Sequence, residues 1–275
     1  MTDPQLIQPT GFHLRLSSDW LVSAVSNNIG EFLPLPADQA LGQKITILLS
    51  DDTIHDVRNR MALLRSDDTI EHLLHIPLVN EGKKFDLSLF RDGDGFGIDA
   101  EPSDSHALGD ATGLIEGMLD RIATTEDGES IASEAARQLR GLTGFDRVAI
   151  CGGGRLLAHS ARRPDQPDPS AIATALGEFA VADSACEAVS VLTQDAGRPS
   201  RSTLRMPDAD EAAVLETFGA RAALIVPLSR AGKAWGHVGC YNSTPRHLGV
   251  ERRSVARLFA RIIALRLEIA ELRRA

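Results

Sequence analysis

The run Leu142-Thr143-Gly144-Phe145-Asp146-Arg147-Val148-Ala149-Ile150-Cys151 joins two kinds of secondary structure, and the rest of the chain can be read outward from it. Upstream, Glu129 to Leu142 reads as a helix. Downstream, Arg147 to Cys151 and Arg155 to Ser160 read as strands, with Gly152-Gly153-Gly154 between them. That triple glycine has the look of a phosphate loop. It lacks a following Lys-Ser/Thr and sits between strands rather than before a helix, so a hairpin turn is the better reading.

Further out, Ala111 to Thr124 is a helix with an apolar stripe of Leu114, Ile115, Met118, Leu119 and Ile122. Ala222 to Leu228 and Gly236 to Tyr241 are strands joined by Ser229 to Lys233. This order fits a GAF domain, an antiparallel sheet with helices on one side. The polar stretch Glu101 to Asp110 separates it from a first segment of different pattern. There, Gly11 to Leu16 and Leu21 to Ser26 form a hairpin around Ser17-Ser18-Asp19, and Ile54 to Leu64 is helical. Glu71 to Leu78, Lys83 to Arg91 and Gly95 to Ala100 are three more strands, with turns at Asn80-Glu81-Gly82 and Asp92 to Gly95. Two strands, short helices and three strands is the order of a PAS domain. The expected fold is α+β: a PAS-like domain over 1–103, a linker over 104–110, a GAF-like domain over 111–250 and a long helix over 251–275.

That last helix has the cleanest period in the chain. Val255, Leu258, Ile262, Leu265, Ile269 and Leu272 are spaced 3, 4, 3, 4, 3, an a/d seam. Arg252, Arg253, Arg257, Arg261 and Arg266 flank it, with Glu268 and Glu271 near its end. The expected assembly is a parallel homodimer joined along this seam.

Composition removes several classes. With 275 residues there is room for two cores, and a net charge of −9 argues against nucleic-acid binding. No apolar run approaches a bilayer span, and Met1 to Leu6 carries no secretory pattern, so a cytoplasmic protein is expected. Cys151, Cys186 and Cys240 have neither paired nor metal-ligand spacing and read as reduced core residues. The eight histidines are scattered, so no metal site is expected; His237 alone would suit a haem, and weakly. Asp208, Asp210 and Glu211 read as carboxylates at a helix start. No Ser–His–Asp set, kinase box or cyclase signature is visible, so no enzyme is expected.

Three stretches resemble bacterial phytochromes. Ile7-Gln8-Pro9-Thr10-Gly11 is similar to the family's Ile-Gln-Pro-His-Gly, and Leu142 to Val148 matches its Leu-Thr-Gly-Phe-Asp-Arg-Val. Phe218-Gly219-Ala220-Arg221-Ala222, Gly232-Lys233-Ala234-Trp235-Gly236 and Cys240 resemble Met-Gly-Val-Arg-Ala, Gly-Lys-Leu-Trp-Gly and the start of Ala-Cys-His-His. The resemblance implies a bilin pocket, and this chain departs from it at most of the pocket's positions. No cysteine precedes Cys151, and none stands near Thr203 to Glu211, so neither known attachment route has its thiol. Arg205 keeps a propionate-pairing position and Asp183 an acidic one. Glu211 stands where the family has a pyrrole-facing His, Tyr241 and Asn242 replace the two histidines, Ala223 and Ile225 replace serines, and Cys151 replaces a tyrosine. Six residues before Ile7 leave room for a shallow tuck of the N-terminus through a GAF loop, not for a deep knot. The resemblance thus implies a signalling or scaffold protein that has lost its bilin, with no cofactor expected, biliverdin included. It would act through protein contacts, with a histidine kinase, response regulator or photoreceptor as partner. The alternatives are a GAF sensor of another small ligand, a non-covalent biliverdin photoreceptor, and the excised sensory part of a kinase or cyclase.

Overall fold

The computed structural model describes residues 5–79, 82–104, 108–163, 178–194 and 200–273. Asn80 and Glu81 of one expected turn, His106 in the expected linker, and Met1 to Pro4 lie outside the described residues. The chain forms two compact units, Met1–Ala107 with Ala185–Met206, and Leu108–Ser184 with Pro207–Ala275.

The first unit follows the expected order. A hairpin of β2 (Phe12–Leu16) and β3 (Val22–Ser26) is followed by the short helix α1 (Ala37–Ala40) and by α2 (Asp51–Met61). Ser50 caps α2 by accepting from Thr53 N, with Asp51 and Asp52 in the first turn and Arg58 and Arg60 in the last, the charge order a helix dipole favours. Strands β4 (Ile70–Pro77), β5 (Lys84–Asp92) and β6 (Gly95–Pro102) complete the domain. Phe12 packs against Phe32 and Phe85, with centroids 5.6 and 5.9 Å away, at the centre of its core.

Residues 185–206, within the span read as GAF-like, pack in the structure as part of the first compact unit. Strand β10 (Val189–Thr193) pairs antiparallel with β3, so the free edge of the hairpin gains the partner its backbone groups need. On the other side of β10 lies β1 (Leu6–Ile7), giving a seven-stranded sheet in the order β1-β10-β3-β2-β6-β5-β4. Gln5 O accepts from Val191 N at 3.0 Å, and Gln8 N donates to Leu204 O at 2.7 Å. Residues 5–8 are therefore hydrogen-bonded to Val189–Val191 on one side and to Leu204 and Met206 on the other.

The second unit has α3 (Ala111–Ala123) and α4 (Gly128–Thr143), then β7 (Arg147–Gly152), β8 (Arg155–Ala161) and β9 (Phe179–Val181). Helix α5 (Ala209–Thr217), β11 (Ala222–Arg230), β12 (Lys233–Asn242) and α6 (Val250–Leu272) follow. Gly144 ends α4 at φ 64°, its N–H returning to Arg140 O, a left-handed cap that glycine adopts without strain. The Gly152–Gly154 segment is the expected hairpin turn, with φ of 59° and 75° at Gly153 and Gly154. The sheet runs β8-β7-β12-β11-β9, and α3, α4 and α6 bury their apolar stripes against one of its faces.

Candidate functional site

Alternation along β7, β11 and β12 sends Val148, Ile150, Ala222, Leu224, Val226, Val238 and Cys240 into the helix-covered core. The intervening residues form the opposite face in three cross-strand rows. Ala223, Tyr241 and Arg147 make the first, Ile225, Gly239 and Ala149 the second, and Pro227, His237 and Cys151 the third. Phe179 and Val181 from β9, with Leu215 and Phe218 from α5 and its end, pack with Ala223, Ile225 and Tyr241 as one buried cluster. Tyr241 stacks on Phe218 and lies along its own strand over Gly239, where any Cβ would collide with the tyrosine ring.

Buried polar groups share this sheet face: among the described residues the Tyr241 hydroxyl, Nε and Nη1 of Arg147 and Nε2 of His237 make no hydrogen bond. Arg147 has one, donated from Nη2 to the Phe218 carbonyl, and its guanidinium sits 5.7 Å from the Phe218 ring centroid. Burial lowers the pKa of both Arg147 and His237, opposed at Arg147 by Asp146 and Tyr241, and raises that of the Tyr241 phenol. On the helix side of the sheet, burial pushes the Cys240 thiol up to about 12.

A family model of the GAF domain matches residues 127–267, and one of the PAS fold matches residues 1–103. The chain belongs to the GAF domain family. Its structure resembles the chromophore-binding domain of an unusual bacteriophytochrome from R. palustris, at 20% identity and TM-score 0.79, covering 98% of this chain and 96% of that one. The chromophore-binding domain of Stigmatella aurantiaca phytochrome P1 is similar at 19% identity and TM-score 0.79, covering 96% and 97%. The photosensory core module of the Stigmatella protein matches at 19% identity and TM-score 0.80, over 98% of this chain and 60% of that one. A search of curated proteins found no match.

Within this phytochrome-like PAS–GAF module, the six positions named from the sequence separate into four settings. Cys151, Ala223 and Tyr241 share the second sheet face. Asp183 is held by Arg221, whose Nε and Nη2 each donate at 2.8 Å. Glu211 closes a capping box on α5, accepting from Asp208 N at 3.0 Å while its own N–H reaches the Asp208 carboxylate at 2.9 Å. The acidic run is thus a helix start, as its pattern implied. Arg205 belongs to the first unit, bridged to Ile7, with Nη1 donating to Met206 O at 3.3 Å.

The sequence showed no Ser–His–Asp set; the PAS–GAF module has one. His13 Nδ1 lies 2.6 Å from Asp99 Oδ1, and His13 Nε2 lies 2.8 Å from Ser200 Oγ. Ser200, however, donates its proton to Asp92 Oδ2 at 2.6 Å, so that proton is held by a carboxylate and does not lie on the path to His13. Asp99 also accepts from Ser202 Oγ at 3.0 Å and Thr203 Oγ1 at 2.7 Å. All of these groups are buried or half-buried, and their bonds clamp residues 200–203 to the PAS sheet. Nothing in the spacing of His13 and Ser200 marks them as neighbours.

The expected seam on α6 also divides. Leu258, Leu265, Ile269 and Leu272 are exposed and Ile262 is half-exposed, forming one outward stripe. Val255 does not join them: it is buried in the unit's own core with Phe259, Ile263 and Leu267. A straight helix drifts by about 20° per heptad from a 3.5-residue repeat, and that drift carries Val255 inward. Among the described residues no group of His, Cys, Asp and Glu could hold a metal, and no helix is long and apolar enough to cross a membrane.

Proposed function

We propose that this PAS–GAF module is a signalling or scaffold protein that works through protein contacts, as a homodimer and without a bilin. The observation that carries this reading is the buried cluster of Tyr241 on Phe218 with Leu215, Phe179, Val181, Ala223 and Ile225. It occupies the face on which Cys151, Ala223 and Tyr241 stand at positions that resemble the bilin pocket of bacteriophytochromes. The similar structures are described as chromophore-binding domains; this chain carries their fold and has no cysteine between Thr203 and Glu211. A cytoplasmic, non-catalytic role beside a histidine kinase, response regulator or photoreceptor fits that combination. The exposed apolar stripe on α6 supports self-association, since contiguous exposed apolar surface marks contact sites.

The test is an absorption spectrum of the protein co-produced with haem oxygenase, followed by a zinc-stained denaturing gel. A colourless protein with no fluorescent band is expected. A red or far-red band that bleaches under matching light would overturn the bilin-free reading.

The unpartnered hydroxyl of Tyr241 and nitrogens of Arg147 and His237 favour a second reading, a sensor of a small polar ligand. Buried polar groups left unsatisfied cost about 1–3 kcal/mol each, which a hydrogen-bonding ligand would recover. Thermal-shift measurements with cyclic nucleotides, haem and tetrapyrroles separate the two: no stabilisation by any of them leaves the scaffold reading standing.

A further inference from the structure

The helix layer on the GAF sheet holds a groove of about 540 Å³ between α3 and α4. Helical spacing builds its two walls. Leu114, Met118 and Arg121 follow one another at 4 and 3 residues along α3, and Glu134, Gln138 and Gly141 do so along α4. Each set therefore shares one helix face. Leu108, just before α3, donates its N–H to Glu251 at the start of α6, at 2.8 Å. Arg252 Nη1, on the next residue of α6, donates to Leu142 O at the end of α4, at 3.2 Å. The start of α3 and the end of α4 thus lie together, and the two helices run antiparallel.

That direction gives the groove two unlike ends. Leu108, Leu114 and Leu142 line one. Arg121, Glu134 and Arg137 line the other, about 10 Å further along α3, with Met118 between. At the charged end Glu134 pairs with Arg137 and accepts from Gln138 Nε2 at 3.1 Å. Arg121 is exposed and has no hydrogen bond or ion pair among the described residues. Two arginines against one glutamate leave a positive charge in excess here, in a chain whose net charge is −9. Gln138 is 7% exposed, and its Oε1 is buried without a hydrogen-bond partner among the described residues. A carbonyl left in this way costs free energy that an N–H donor would recover.

We propose that this groove binds a small N-acyl amino acid. Its carboxylate would pair with Arg121, its amide N–H with Gln138 Oε1, and its acyl chain would run past Met118 to the leucine end. Each part of the ligand answers one feature of the walls. The unpaired guanidinium selects an anion over an amine, the orphaned carbonyl selects an amide over an ester, and the leucines select an apolar chain. Because Oε1 is enclosed in the free protein, the carboxamide turns toward the ligand as the bond forms. The volume lies within the range of small-molecule sites, about 300–1,000 Å³. This groove is on the opposite side of the sheet from Tyr241, so it depends on neither reading of that cluster.

The experiment is isothermal titration of the full chain with N-octanoylglycine, with octanoyloxyacetate, in which an ester oxygen replaces the N–H, and with octylamine. N-octanoylglycine is expected to bind with a Kd below about 1 mM, the ester about tenfold more weakly, and octylamine not at all. Arg121→Glu is expected to weaken N-octanoylglycine by about tenfold or more while leaving the urea midpoint in place. In Gln138→Leu the amide and the ester should bind alike, and Tyr241→Phe should bind as the wild type does. No binding of N-octanoylglycine, or equal binding by Arg121→Glu, overturns the site. Equal binding of amide and ester by the wild type overturns the Gln138 contact and the ligand class with it. A loss in Tyr241→Phe would move the ligand to the other sheet face and overturn the proposal as well.

Discussion

Tyr241 stacks on Phe218 with ring centroids 5.5 Å apart and planes inclined by 26°, and among the described residues the hydroxyl at the edge of that stack has no hydrogen-bond partner. The ring contributes packing; the oxygen contributes only desolvation. Tyr241→Phe keeps the stack and removes the orphan, so it is expected to stabilise the GAF unit by about 1 kcal/mol in urea unfolding. Tyr241→Ala opens the cluster and is expected to cost about 3–5 kcal/mol. If Tyr241→Phe proved destabilising by more than about 1 kcal/mol, the hydroxyl would have to be satisfied in solution. The small-ligand reading would then gain over the scaffold.

The Ser200–His13–Asp99 set has the outline of a hydrolase and the bonding of a clamp. Asp99 accepts from His13, Ser202 and Thr203, so Asp99→Ala leaves several buried donors without an acceptor. A loss of about 3–5 kcal/mol in the PAS unit is expected. Because the Ser200 proton points to Asp92, a fluorophosphonate probe is expected to leave the native protein unlabelled. Labelling that disappears in Ser200→Ala would refute the clamp and make the set a nucleophilic site.

These two sites mark the limit of what the sequence could supply. The elements around Leu142 to Cys151 were legible because their signals are local: a helix, a turn of consecutive glycines and alternating strands within about 30 residues, a scale on which chain pattern and structure correspond closely. The partner of β10 was not, since Thr193 pairs with Ala24 and an edge strand carries no record of which distant edge it will meet. Ser200 reaches His13 only because β10 first brings its loop to the PAS sheet. Tyr241 was legible as a replacement at a family position, but not as a ring folded over Gly239 with an orphaned hydroxyl. On α6 the heptad spacing revealed the stripe, and the inward turn at Val255 needed the sheet beneath it.

His237 provides a pH test. Burial lowers its pKa, so the folded protein binds fewer protons than the unfolded chain once the pH falls toward the ordinary histidine value. Its share of stability is therefore complete above about pH 6.5 and declines as the pH drops below that, by at most about 2 kcal/mol at pH 5. His237→Gln is expected to flatten the acid side of the stability profile between about pH 7 and pH 5, measured as urea midpoints across that range. Identical acid slopes in the two proteins would mean that His237 is solvated in the native state.

The cysteines test the attachment argument directly, because a thiolate must form before any thiol can add to a vinyl group. Cys240 is buried with its pKa pushed up to about 12, and Cys151 is buried on the opposite sheet face. Cys186 is half-exposed, with its Sγ 3.9 Å from the Met206 sulfur. At pH 8 iodoacetamide is expected to modify Cys186 alone in the native protein, and all three residues after denaturation, as read by peptide mass spectrometry. Rapid native modification of Cys151 would show that the cluster around Tyr241 opens to solvent. The sheet face would then have to be treated as a reactive pocket, and Cys151 as the thiol from which a ligand search should start.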